Sequence, residues 1–178
     1  MSDASGETSG EPQPLILDAS IAIAILRGEP HAAEWLDRIK RQVASNGKLQ
    51  VPSLFWLEVV NVLLRRYRLQ PSDVLEAIVE LEATGVETVE LDRPMLLLVL
   101  DAVARHDLTA YNAAYLAVAV ATDGALMTAD ARLAAATADE GGRAVRESPA
   151  SYRSTTWIDW PGAASYLRDL RARLEAPT

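Results

Sequence analysis

Apolar residues fall into two kinds of run along this chain. Leu15-Ile16-Leu17 and Ala125-Leu126-Met127 are short and solid, and Leu49-Gln50-Val51 is nearly so. Runs of that length without alternation suit strands covered on both faces, as in the middle of a parallel sheet. Val86 to Leu91 alternates apolar with acidic positions and reads as a half-covered or edge strand, and Arg143 to Val145 as a last edge strand. The longer stretches carry a helical repeat. Ile21 to Arg27 is a short helix ended by Gly28 and Pro30. His31 to Ser45 turns Ala33, Leu36, Ile39 and Val43 inward and Lys40 and Arg41 outward. Pro71 opens a helix to about Ala83, Arg93 to Arg105 is a Leu-rich helix, and another runs from Ala131 to Gly141-Gly142. Two helices are apolar almost all round. One is Leu54 to Arg68, with Ser53 as its cap; the other is Ala110 to Ala121, with Thr109 as its cap and a buried position expected. Strands alternating with helices require crossover connections, so the fold class is α/β with a central parallel sheet.

Length and composition narrow this picture. The 178 residues suffice for one domain with a sizeable core, or one domain with tails. Residues 1–13 are polar and acidic, with no basic start and no apolar signal core, and read as a disordered tail. Residues 14–146 form the domain. Residues 147–178 are a C-terminal extension in which Ser148 to Trp160 is loop-like and Gly162 to Leu174 helical. Trp157 and Trp160 suit the covering of an apolar patch better than the stacking of bases. The chain has no cysteine, which excludes disulfides and thiolate metal sites and fits a cytoplasmic location. His31 and His106 are too few for a histidine-rich zinc site, so any metal would be a hard cation held by oxygen. A net charge of −8 argues against a broad basic surface for duplex binding. The longest apolar helix is too short to span a bilayer, so no membrane partner is expected.

Four polar residues interrupt this apolar frame. Asp18 ends the first strand, Glu58 lies on an otherwise apolar helix, Asn112 sits in the first turn of another, and Asp130 follows the strand Ala125-Leu126-Met127. Asp18 alone can also be read as a plain helix cap, the less favoured of the two readings. Four such residues at places that a parallel fold can bring to one rim point to a site. Clustered carboxylates repel, by on the order of 3 kcal/mol at about 5 Å and an effective dielectric near 20. A cation offsets that repulsion, and Mg²⁺ or Mn²⁺ suits an oxygen-only set.

The ordered pieces Leu15-Ile16-Leu17-Asp18-Ala19-Ser20, Leu57-Glu58-Val59-Val60-Asn61-Val62-Leu63, Leu108-Thr109-Ala110-Tyr111-Asn112-Ala113-Ala114-Tyr115-Leu116-Ala117 and Leu126-Met127-Thr128-Ala129-Asp130 resemble PIN-domain ribonucleases, most closely VapC-type toxins of bacterial toxin–antitoxin pairs. The resemblance spans about Pro14 to Val145. It implies a three-layer α/β/α fold and Mg²⁺- or Mn²⁺-dependent endoribonuclease chemistry on an RNA substrate. It also implies a homodimer and inhibition by a cognate antitoxin that occupies the acidic cleft. Asp18, Glu58, Asn112 and Asp130 fall on the catalytic and metal-ligating positions.

One of those positions departs from the pattern: Asn112 stands where the family carries aspartate. An amide oxygen can ligate a cation but carries no charge, so weaker metal binding is expected. An engineered inactivation, a natural degenerate member and a natural active variant are all compatible with it. Ser20 and Thr128 can support Asp18 and Asp130 or a metal-bound water, or serve as plain caps. Asn61 can orient Glu58 or bond a backbone group. Arg65, Arg66 and Arg68 can hold RNA phosphates or form a solvated helix end. Against the nuclease stands a catalytically silent PIN-like module that binds a protein or RNA, which Asn112 favours. A phosphoaspartate enzyme ranks below both, because no second acid follows at Ser20 and no lysine sits at a later strand end.

Overall fold

A computed structural model describes residues 12–142 and 144–145. Five strands form one wholly parallel sheet in the order β3-β2-β1-β4-β5: β1 Leu15–Leu17, β2 Leu49–Pro52, β3 Glu87–Val89, β4 Ala125–Met127 and β5 Ala144–Val145. The chain builds outward from β1 to β2 and β3, then returns to lay β4 against the other side of β1. Strand order therefore reverses between β1 and β4, and ligands of open α/β sheets bind beyond the carboxyl ends of the strands at such a reversal. β1, β2 and β4 are buried at every position, as strands covered on both faces must be. β3 is largely exposed, as an edge strand with acidic flanks can be.

The helices are α1 Ala19–Leu26, α2 Ala32–Ala44, α3 Leu54–Asn61, α4 Pro71–Glu82, α5 Arg93–His106, α6 Ala110–Ala121 and α7 Ala131–Asp139. Helix α6 is the buried one. Seven consecutive residues, Ala113 to Ala119, are out of solvent, and the helix packs on β1, β2 and β4 with α5 across it. Small residues allow this, since Ala113, Ala114, Ala117 and Ala119 let the helix sit close to the sheet. Asp107 ends α5 in the left-handed conformation, and Thr109 caps α6 by accepting from Asn112 N at 3.2 Å.

Several expectations need correction. The helix expected over Leu54 to Arg68 is α-helical only to Asn61 and continues as one π turn, Val62–Arg66. Tyr67 N donates five residues back to Val62 O, and Arg68 turns left-handed at φ 56°. The wide turn and reversal stop the helix without a glycine or proline. Ser53 does not cap α3; its backbone is already helical and its N–H is taken by Val89 O at 2.9 Å. The face of α3 is not uniformly buried either, since Leu57 is 73% exposed. On α2, Ala33 faces solvent, and Ala32 and Trp35 are buried with Leu36 and Ile39.

Gln13, at the end of the expected tail, is already anchored. Its side chain donates to Asp123 O at 2.6 Å, and its carbonyl accepts from Gln42 Nε2 at 2.7 Å. The rest of the expected tail up to residue 11, and the extension with its expected helix over 162–174, lie outside the described residues. No helix among the described residues is long and apolar enough to cross a membrane.

Candidate metal centre

The reversal point of the sheet carries Asp18 at the end of β1 and Thr128 and Asp130 after β4. Asp18 is 8% exposed, and its backbone N–H completes the sheet by donating to Met127 O at 3.0 Å. Its carboxylate is held from both sides. Oδ2 accepts from Ser20 Oγ at 2.8 Å and from Thr128 Oγ1 at 2.5 Å, and Oδ1 accepts from Ser20 N at 3.3 Å. Asp18 is thus both the cap of α1 and a buried carboxylate. The two hydroxyls are used twice. Thr128 Oγ1 also accepts from Asp130 N at 3.0 Å, and Ser20 Oγ from Ala129 N at 3.3 Å. Each hydroxyl ties the loop after β4 to the carboxylate that ends β1.

Asp130 caps α7, its Oδ1 accepting from Arg132 N at 2.8 Å and Leu133 N at 3.1 Å. Its Oδ2 accepts from Asn112 Nδ2 at 3.0 Å. Glu58 is half-buried on α3, and its Oε2 accepts from Tyr115 Oη. Its Oε1 has no hydrogen bond among the described residues.

Electrostatics join these groups. Burial raises the Asp18 pKa above the ordinary carboxylate value, its hydroxyl donors oppose that, and the charge of Asp130 adds to it. Burial likewise raises Glu58, opposed by the Tyr115 hydrogen bond and reinforced by the charge of Asp18. Asp18 therefore feels Asp130 on one side and acts on Glu58 on the other. A hydrogen bond links Asn112 to Asp130, and charge interactions link Asp130 to Asp18 and Asp18 to Glu58, the four residues singled out from the sequence.

This group fits a hard divalent cation by its donor chemistry: the oxygens are carboxylate and amide, and two of the acids, Asp18 and Glu58, are destabilised by burial and by the charge of a neighbouring carboxylate. As the side chains stand, no three His, Asp or Glu residues among those described are grouped to hold a metal ion. Both oxygens of Asp130 are engaged in hydrogen bonds. Asp18 also has both oxygens engaged, but Oδ1 only by the 3.3 Å bond from Ser20 N, and Glu58 Oε1 has no hydrogen bond among the described residues, so these two oxygens are the ones most open to an ion. One or two carboxylates with water completing the shell is ordinary for Mg²⁺.

The supporting residues divide. Ser20 and Thr128 are at the site and hold Asp18. Asn61 is exposed, and no hydrogen bond joins it to Glu58. Arg65, Arg66 and Arg68 are exposed in and after the π turn, and Arg66 lies 5.7 Å from the centre of the Tyr67 ring. No hydrogen bond or ion pair among the described residues links the three arginines to the acids. Asp107 is no substitute for an acid at position 112, because it pairs with Arg132 at 2.9 Å.

Sequence reasoning missed Tyr115, whose side chain is fully buried with its hydroxyl on Glu58. A signal was there: Tyr115 follows Asn112 by three positions on α6, hence on the same side, and a buried tyrosine hydroxyl needs a partner. A cavity of about 30 Å³ lined by Leu17, Ile21, Ile25, Leu36, Phe55 and other mainly apolar residues includes none of these polar side chains.

A parallel sheet in 3-2-1-4-5 order with acids at its reversal defines the class, and the family model for the PIN domain matches residues 15–139. The chain belongs to the PIN domain family. A sequence comparison with curated proteins finds no match. Among solved structures, PAE2754 from Pyrobaculum aerophilum is similar at 23% identity and a TM-score of 0.51, covering 93% of this chain and 91% of that one. VapBC2 from Rickettsia felis, bound to a DNA fragment from its promoter, is similar at 9% identity and a TM-score of 0.56, covering 75% of this chain and 98% of that one. At these identities the likeness is one of fold.

Proposed function

We propose that this chain is a divalent-metal-dependent endoribonuclease of the VapC type, the toxin of a toxin–antitoxin pair, acting in the cytoplasm as a homodimer. The observation that carries the reading is the connected group Asp18, Glu58, Asn112 and Asp130 at the sheet reversal of a PIN fold. The similarity to a chain from a VapBC complex supports an antitoxin as partner. Mg²⁺ or Mn²⁺ would supply Lewis-acid stabilisation of the phosphate and a water of lowered pKa.

The protein's own residues do the rest. Asp18 and Glu58 hold the ion, and Asn112 offers its amide oxygen as a neutral ligand. Asp130 keeps α7 and the β4 loop in register and adds negative charge next to Asp18. Ser20 and Thr128 fix the Asp18 carboxylate, so that it does not have to reorganise when the ion arrives. Arg65, Arg66 and Arg68 offer exposed positive charge to phosphates along the RNA.

A second reading has its own support. Asn112 occupies Asp130 Oδ2 with a hydrogen bond, and that contact favours a silent PIN-like module that binds RNA or protein without cutting. One experiment separates them: the protein and its Asn112→Asp variant are incubated with RNA, with Mn²⁺ and with chelator. Chelator-sensitive cutting by the unmodified chain establishes the nuclease. Cutting by the variant alone establishes an enzyme silenced at this position, and cutting by neither leaves the binding module.

A further inference from the structure

Tyr115 is the one polar side chain in the buried stretch of α6. Nothing in the packing of that helix against the sheet calls for a hydroxyl; phenylalanine would fill the same volume. The hydroxyl instead crosses from α6 to α3 and donates to Glu58 Oε2. The backbone N–H of Ala19, the first residue of α1, lies near the hydroxyl oxygen of Tyr115. That N–H is one of the donors a helix start leaves without an intrahelical partner. One oxygen therefore collects Ala19, the neighbour of Asp18 on the chain, and Glu58, from the helix opposite.

The geometry points to Tyr115 as a positioning residue that holds Glu58 toward Asp18, so that Glu58 Oε1 is left free for a cation. This inference rests on the metal reading proposed above. A half-buried glutamate on a helix has three rotatable bonds, and a carboxylate with one oxygen fixed loses most of that freedom before an ion binds. The donor must be a fixed one. Tyr115 qualifies because its ring is fully buried and anchored in the core of α6. The hydrogen bond takes a single carboxylate oxygen and leaves the other, the arrangement common for carboxylates that ligate metals and are themselves oriented from outside. Burial together with the charges of Glu58 and Asp18 also pushes the phenol pKa upward, so the hydroxyl keeps its proton and remains a donor.

The test is direct Mn²⁺ titration by calorimetry of the full chain, of Tyr115→Phe, of Glu58→Gln and of the double variant, with thermal melting without metal as the control for folding. Tyr115→Phe should stay folded and bind Mn²⁺ roughly tenfold or more weakly. In the Glu58→Gln background the same change should have no further effect on affinity. Unchanged Mn²⁺ affinity in Tyr115→Phe, or an equal loss with and without Glu58, overturns the positioning role while leaving the metal reading intact. An unmodified chain that binds no Mn²⁺ overturns both. Should Tyr115→Phe melt early, its Mn²⁺ affinity is measured well below its melting temperature, and an affinity equal to that of the unmodified chain there counts against the role.

Discussion

The side-chain amide of Asn112 donates to Asp130 Oδ2 at 3.0 Å, while the other oxygen of Asp130 caps α7. The amide thus quenches a carboxylate that lies next to Asp18. Replacing it with a second carboxylate removes a donor and adds a like charge. Without divalent cation, Asn112→Asp should lower stability by about 1–3 kcal/mol. That corresponds to a fall in melting temperature of roughly 3–10 °C. With excess Mn²⁺ the loss should shrink or reverse, because the ion gains a charged ligand. Melting curves of both proteins with and without Mn²⁺ check this; equal metal responses would speak against Asn112 facing the ion.

Thr128 holds the loop after β4 to β1. It is fully buried, donates to Asp18 and accepts from Asp130 N. Thr128→Val keeps the shape and strands two buried polar groups, a loss expected at about 2–4 kcal/mol in denaturant unfolding. Thr128→Ser should lose less than half of that. A valine variant as stable as the original would mean that the loop is held by other contacts.

Burial raises the pKa values of Asp18 and Glu58 above their ordinary values of 3.8 and 4.5. A raised folded-state value means the native protein binds more protons than the unfolded chain. The stability these groups contribute is complete below the ordinary values and lost as pH rises through the raised ones. The metal-free protein should therefore melt higher at mildly acidic pH than at neutral pH. Asp18→Asn should flatten that dependence, and Mn²⁺ should stabilise the neutral form. A melting temperature that climbs toward neutral pH with the same slope in Asp18→Asn would contradict the assignment.

Asp18 and Asp130 could be read as candidates from sequence because Asp18 directly follows a solid apolar run and Asp130 comes three positions after the end of another, and a strand end is where a parallel sheet exposes polar chemistry. Thr109 was legible for a similar reason, as a cap before an apolar helix. The π turn was not, since Val62–Arg66 contains nothing that breaks a helix and Arg68 takes a positive φ without being glycine. Leu57 illustrates the limit of composition: an apolar residue predicts a buried face, yet tertiary packing leaves it in solvent. Ser53 fails as a cap because its backbone is already helical, so its hydroxyl accepts no N–H of the first turn. Tyr115 was hidden because a tyrosine in a buried helix counts toward the core until its partner across the fold is known.

If the exposed arginines guide RNA, Arg65→Ala combined with Arg66→Ala should raise KM for an RNA substrate several-fold, steepen less with salt, and leave kcat near its original value. Loss of kcat alone would place these residues in a different role.

The central claim is that Asp18 and Glu58 hold a divalent cation at the reversal of the sheet. Anomalous diffraction from crystals grown with Mn²⁺ tests it most directly. The account predicts a manganese peak in contact with carboxylate oxygens of Asp18 and Glu58, lost in Asp18→Asn. Well-ordered crystals with both carboxylates in place and no peak between them, at saturating Mn²⁺, would contradict it.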